Sequence, residues 1–189
     1  MEIKIFYTKD WKDYELLDTG EGEKLERFGS HAFVRPYEDA VWKKTLTDKE
    51  WNSADGKFWS SKQGAKAGWK MVSKTLFDKW EMEYKGIKFF ASPTPFRHLS
   101  FFPEQASHWD FIENSIKNSG RKVKFLNLFG YTGVASLFAL RAGADVTHLD
   151  ASKQSLASAK ENENLSGLSG MRIIEDDAIK FLEREIKRG

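Results

Sequence analysis

The chain has 189 residues, 40% hydrophobic and 31% charged, with a net charge of +2. That balance is ordinary for one medium or two small globular domains, and it leaves no bulk charge to draw nucleic acid or membrane. The sequence holds no cysteine, which excludes a disulfide framework, a thiolate zinc site and a cysteine nucleophile.

The opening residues, MEIKIFYTKDWKDYE, have neither the apolar run nor the small-residue cleavage site of a signal peptide. No stretch approaches the roughly 20 apolar residues of a spanning helix, so a cytoplasmic location with no membrane partner is expected. Six of the seven tryptophans precede Phe101, so the two ends of the chain are built differently. Lys24 to Pro36, KLERFGSHAFVRP, carries Leu25, Phe28 and Phe33 around a Gly-Ser break and predicts two short strands. Lys57 to Lys74, KFWSSKQGAKAGWKMVSK, contains no acid. Two readings stand for it. One is an RNA-contacting loop, with Lys62, Lys66 and Lys70 on phosphates and Trp59 or Trp69 on a base. The other is a solvated loop whose tryptophans turn into a small core.

In WEMEYKGIKFFA, Trp80, Met82 and Tyr84 alternate with glutamates, Lys85-Gly86 turns the chain, and Ile87 and Phe89 resume the period of two. This pattern predicts a hairpin with one apolar face. Pro103 fits the first turn of a helix, on which Trp109, Ile112 and Ile116 fall at helical spacing before Gly120. Strand and helix then alternate. Val123 to Leu128, Asp145 to Leu149 and Met171 to Ile174 read as strands. Thr132 to Ala142, a helix capped by Ser152 and running to about Leu165, and Ala178 to Lys187 read as helices. Such alternation signals βαβ units and a parallel sheet. The expected organisation is a β-rich domain over residues 1–93, a linker with a helix over 94–120, and the N-terminal part of a Rossmann-like domain over 121–189.

Parallel sheets of this kind bind ligands beyond the carboxyl ends of their strands. The first of these strands runs into Gly130 and Gly133, which let the backbone turn sharply and approach a ligand. The next helix aims its N-terminal N–H groups there. The second strand ends at Asp150, 20 positions after Gly130, where a carboxylate can accept two ribose hydroxyls. A dinucleotide fingerprint would need glycine at Thr132 and Ala135, and a phosphate loop would need Gly-Lys-Ser/Thr, so neither fits. A ribose-bearing cofactor without that pyrophosphate site fits, as S-adenosylmethionine would. The third strand ends IIEDDAIKFL, where Asp177 with the Ala178 N–H, or else Asp176, can meet adenine. Each acid also has a simpler reading as a turn residue or helix cap.

These residues resemble the class I S-adenosylmethionine-dependent methyltransferases, in particular the bacterial branch with ribosomal-RNA cytosine methyltransferases. The likeness covers roughly Thr94 onward. It rests on NLFGYTG at Asn127 to Gly133, Asp150 with Ala151 and Ser152, AKEN at Ala159 to Asn162, Asp176-Asp177-Ala178, and FPEQ at Phe102 to Gln105. RPYEDAVW from Arg35 looks like the aromatic-rich β-domain that precedes the fold in some members. The resemblance implies an α/β fold with a Rossmann-like methyltransferase sheet behind a small β-domain, and S-adenosylmethionine as cofactor. It implies cofactor contacts from Gln105, Phe129, Gly130, Tyr131, Thr132, Gly133, Asp150, Ala151, Asp176, Asp177 and Ala178. Phe129 and Tyr131 would offer aromatic faces to the sulfonium, or pack beneath the loop. Gln105 would reach the amino-acid end, or simply decorate the linking helix. Asn162 reads as a structural helix-end hydrogen bond.

The family's Asp-Pro-Pro element at the acceptor site is absent from this sequence, as are the later strands of a seven-stranded sheet. A fragment or short relative is therefore expected, its open sheet covered by the β-domain or by a second copy. No catalytic residue and no metal site is read. Two functional readings follow: a methyltransferase acting on RNA, or a non-catalytic module that keeps the cofactor fold. A nicotinamide dehydrogenase is disfavoured by the missing glycine. His98, His108 and His148 match no zinc spacing, and His148 is expected to be packed inside its strand. His31 is expected at the surface, ENEN at Glu161 to Asn164 on a solvated helix face, and Arg97 in a surface ion pair or against a ligand anion.

Overall fold

The computed structural model describes residues 5–60 and 67–188, and it divides into two units. One comprises Asp10–Lys85 and Phe90–Phe102; the other comprises residues 5–9, Gly86–Phe89 and residues 103–188. Lys62 and Lys66 lie outside the described residues.

The first unit is built on a five-stranded sheet in sequential order. Its strands are β1 (Tyr14–Gly20), β2 (Glu23–Phe28), β3 (His31–Pro36), β4 (Gly56–Trp59) and β5 (Gly68–Met71). All neighbours pair antiparallel except β3 and β4, which are joined through a short helix, α1 (Asp48–Asn52). Thr47 and Glu50 close a reciprocal capping box at the start of α1, satisfying two backbone donors at once. Phe28 and Phe33 are fully buried, with Phe28 edge-on to Phe101 at 5.8 Å.

Two acids are buried here and fully engaged. Glu26 takes a bidentate pair from Arg35, with both N–O distances 2.7 Å, and a hydrogen bond from the Tyr14 hydroxyl at 2.8 Å. Asp18 accepts from the Thr45 hydroxyl and the Thr45, Leu46 and Thr19 N–H groups, and from the Trp51 indole at 2.9 Å. Burial pushes its carboxyl up, but these donors outweigh burial and hold it well below the usual carboxylate range.

The acid-free stretch is not a plain loop. Its ends are β4 and β5, which pair Phe58 with Trp69 and Trp59 with Gly68. Trp69 packs edge-on to Phe33 and Phe58 and donates its indole N–H to the Thr94 and Phe96 carbonyls. Trp59 and Lys70 are exposed. His31 is half-buried against Trp80, and Arg97 is exposed with no ion pair among the described residues. The hairpin forms where the alternation predicts it. Strands β6 (Trp80–Tyr84) and β7 (Ile87–Ala91) join across Lys85 and Gly86, whose φ values of 48° and 80° make a turn that matches strand twist.

The second unit holds a parallel sheet of β8 (Lys124–Asn127), β9 (Asp145–Asp150) and β10 (Arg172–Glu175), in the order β10-β9-β8. The helices are α2 (Ala106–Lys117), α3 (Val134–Arg141), α4 (Lys153–Leu165) and α5 (Ala178–Arg188). Pro103 begins a 3-10 turn, Pro103–Gln105, that leads into α2. Trp109 of α2 stacks on Phe138 of α3 at 5.7 Å, and Glu113 grips Arg141 with two hydrogen bonds of 2.8 Å. Ala139, Val146, Ala159 and Met171 form a core between sheet and helices.

The ENEN segment departs from expectation. Glu161 and Asn164 are exposed, but Asn162 and Glu163 are fully buried. Glu163 accepts the Met171 N–H at 2.8 Å, which ties α4 to the start of β10. On α5, Ile179 and Ile186 are 68% and 78% exposed, and Leu126 of the edge strand β8 is also exposed. Among the described residues β8 and β10 each have a single strand neighbour.

Candidate functional site

Three consecutive strand ends converge. The turn after β8 is pinned to β9 by the Gly130 N–H, which donates to the Leu149 carbonyl at 2.9 Å. The Tyr131 N–H donates to Asp150 Oδ2 at 2.8 Å, and the Ser152 N–H donates to Oδ1 at 2.9 Å. Each carboxylate oxygen therefore keeps acceptor capacity, and Asp150 remains only half-buried. β10 closes the row: the Asp176 N–H donates to the Asp150 carbonyl at 3.2 Å.

The glycines of the turn are demanded by their neighbours inside the fold. A Cβ on Gly130 would fall on the imidazole of His148, against Cε1, Nδ1 and Nε2. Gly133 has φ of 89°, and a Cβ there would come within 2.9 Å of the Ala159 methyl. Tyr131 sits between them at φ 50°, a left-handed conformation uncommon for a residue with a side chain. Burial, and then the Asp150 charge, push its phenol up. Gly133 is the N-cap of α3 without a side chain to bond the first N–H groups, so that helix end offers unsatisfied donors beside the turn.

The remaining predicted residues take different places. Thr132 is buried, and its carbonyl accepts from Asn162 Nδ2 at 2.8 Å. Phe129 is 80% exposed, so it does not pack beneath the loop. Ala151 is exposed and Ala178 half-buried at the start of α5. Asp177 Oδ1 accepts the Ile179 and Lys180 N–H groups, both at 3.0 Å, and so caps α5. Asp176 accepts the Asp177 N–H and pairs with Arg184. Gln105 is exposed at the start of α2 and makes no capping hydrogen bond.

Three side chains beneath the turn are linked by hydrogen bonds that the sequence does not show. Asn127 Nδ2 meets Ser136 Oγ at 3.1 Å, and Ser136 Oγ meets His148 Nδ1 at 2.9 Å. Asn162, read as a structural helix-end residue, holds the turn from the last turn of α4. No periodic pattern links these positions; only their through-space meeting reveals them. His148 is fully buried, as its place in a strand predicts.

This is the Rossmann-like fold seen in solved S-adenosylmethionine-dependent methyltransferases. Among solved structures, the chain is similar to the SAM-dependent methyltransferase from Agrobacterium tumefaciens, with 40% identity and a TM-score of 0.90 over 100% of this chain and 60% of that one. A Streptococcus mutans protein described as a SAM-dependent methyltransferase shares the fold at 15% identity and a TM-score of 0.64, over 93% of this chain and 49% of that one. Of the curated proteins, the ribosomal RNA large subunit methyltransferase K/L of Shewanella oneidensis is 45% identical over 69 residues, 35% of this chain and 9% of that protein. The chain thus spans about a tenth of these curated relatives and three fifths of the Agrobacterium protein. No protein-family model matches the chain. Among the described residues no helix is long and apolar enough to cross a membrane.

Proposed function

We propose that the chain carries the S-adenosylmethionine-binding part of an RNA methyltransferase, with a ribosomal RNA base as the acceptor. The observation that carries this reading is Asp150. Its carboxylate is oriented by two backbone N–H groups, lies beside a glycine turn and a helix N-terminus, and keeps lone pairs for the two ribose hydroxyls. The bound cofactor would supply an electrophilic methyl group on a sulfonium, so the protein's task is to hold and orient it. Phe129 presents an exposed aromatic face that suits a cationic sulfur. Asp177 keeps Oδ2 for an adenine amine while Oδ1 caps α5, and the Ala178 N–H adjoins it. Asp176 is the alternative partner, at the expense of its pair with Arg184. Gln105 would serve the amino-acid end.

The likeness to the Shewanella ribosomal RNA methyltransferase supports RNA as substrate, and an RNA of the ribosome would set the protein's work in the cytoplasm. Trp59 and Lys70 remain as exposed candidates for RNA contact, whereas the indole of Trp69 is committed to the β-sheet unit.

Calorimetric titration with S-adenosylhomocysteine tests the reading. The expected result is binding that Asp150→Ala weakens by about 30-fold, the equivalent of roughly 2 kcal/mol for hydrogen bonds to a charged acceptor. Binding that is indifferent to Asp150, or a preference for NAD, would reject it.

A further inference from the structure

The inference concerns His148 and rests on the cofactor reading above. The ring lies beneath the glycine turn, close enough that Gly130 has no room for a methyl group. One arrangement of protons gives the amide of Asn127 and the hydroxyl of Ser136 each a partner. Asn127 Nδ2 donates to Ser136 Oγ, so the serine's own proton is left for His148 Nδ1. A neutral imidazole whose Nδ1 accepts must carry its proton on Nε2. That atom is buried and has no partner at hydrogen-bonding geometry among the described residues. The backbone of Tyr131, in the turn itself, is the polar group that acts on the ring.

We propose that His148 is a positioning residue for the adenosyl cofactor: neutral and protonated on Nε2, it sets the turn from Gly130 to Gly133, and charging the ring releases the turn and weakens cofactor binding. A second proton would have to go on Nδ1, turning that acceptor into a donor facing Ser136 Oγ. The hydroxyl would then accept from both Asn127 and His148, and its own proton would lose its partner in a buried place.

The ionisable groups acting on the ring are Asp150 on the same strand and Glu163 on α4; Tyr131 in the turn acts through its backbone. Its register neighbours, Asn127 on β8 and Ile173 on β10, are uncharged. Burial pushes the imidazole down and prevails over the Tyr131 backbone and the two carboxylates, which favour the charged form.

Titration of the whole chain with S-adenosylhomocysteine between pH 7.5 and 5, alongside nitrogen-15 NMR of the imidazole, tests this. The expected spectrum at pH 7.5 is that of the Nε2–H tautomer. The dissociation constant should rise about tenfold per pH unit once pH falls below the ring's own midpoint. His148→Asn, whose amide oxygen can still accept from Ser136 and cannot titrate, should flatten that dependence; a residue that merely fills space would not. An Nδ1–H tautomer, an affinity that ignores the charge on the ring, or equal pH slopes in wild type and H148N would each overturn the proposal. The wild-type measurements decide alone if the variant does not fold. Absence of binding at every pH would instead sink the cofactor reading, and this proposal with it.

Discussion

Gly130→Ala isolates the packing argument from any ligand. The backbone of Gly130 is not left-handed, so alanine carries no conformational strain there. The whole cost must come from the imidazole that the new methyl would strike. If the ring yields, it leaves its 2.9 Å contact with Ser136, worth about 1 kcal/mol net, and leaves its rotamer at about another 1 kcal/mol. If instead the turn lifts, the Gly130 N–H bond to Leu149 suffers, with an overpacking cost of about 1–3 kcal/mol. The first route costs roughly 2 kcal/mol and the second roughly 2–4 kcal/mol. The assay is urea unfolding followed by far-UV circular dichroism, in a double-mutant cycle with His148→Ala. That partner change has its own cavity cost but removes the obstacle, so Gly130→Ala should be nearly neutral in its presence. The expected coupling is about 2–4 kcal/mol; a value below roughly 0.5 kcal/mol, the ordinary limit of additivity, would refute the reasoning.

Glu26→Ala strips the partner from a buried guanidinium and should cost about 3–5 kcal/mol; the double change with Arg35→Met should recover much of it, read by tryptophan fluorescence in guanidinium chloride. Asp18 has its carboxyl depressed in the folded state, so its contribution is complete above the unfolded value of about 3.9 and is lost as pH falls below it. Asp18→Asn should therefore lower stability at pH 7 and flatten the acid limb below about pH 4, a comparison for denaturant melts taken between pH 2 and 7.

Much of the parallel-sheet unit was legible because local chemistry and global fold agree there. Ser152 caps α4 with a 3.2 Å bond to the Ser155 N–H, and Gly143 follows α3 at φ 91°, as their positions in the sequence suggest. The alternation through Lys85-Gly86 likewise specifies the hairpin. The β-sheet unit was harder. Tyr14–Gly20 has no clean alternation, because Asp18 turns inward to collect donors that lie 27 to 33 residues away. Asn162 and Glu163 look like solvent residues in a polar helix, yet backbone groups distant in sequence draw them inside. Asp150 could be singled out because it ends a strand after a glycine turn. The imidazole that governs the turn could not, since its meaning depends on Ser136 and Asn127 arriving on separate elements. Sequence pattern reports what a residue shares with its neighbours along the chain; it is silent on polar groups that find each other across the fold.

The strand β8 has further meaning for the molecule's behaviour in bulk. Among the described residues its one strand partner is β9, and Leu126 stands exposed along it. A β-edge without a strand partner is a template for recruitment, and here it carries a greasy side chain rather than a proline. Arg121, Lys122 and Lys124 are the gatekeeper charges beside it in the sequence, Lys122 in a pair with Asp145, so high salt, which screens them, favours strand-to-strand accretion over dispersion.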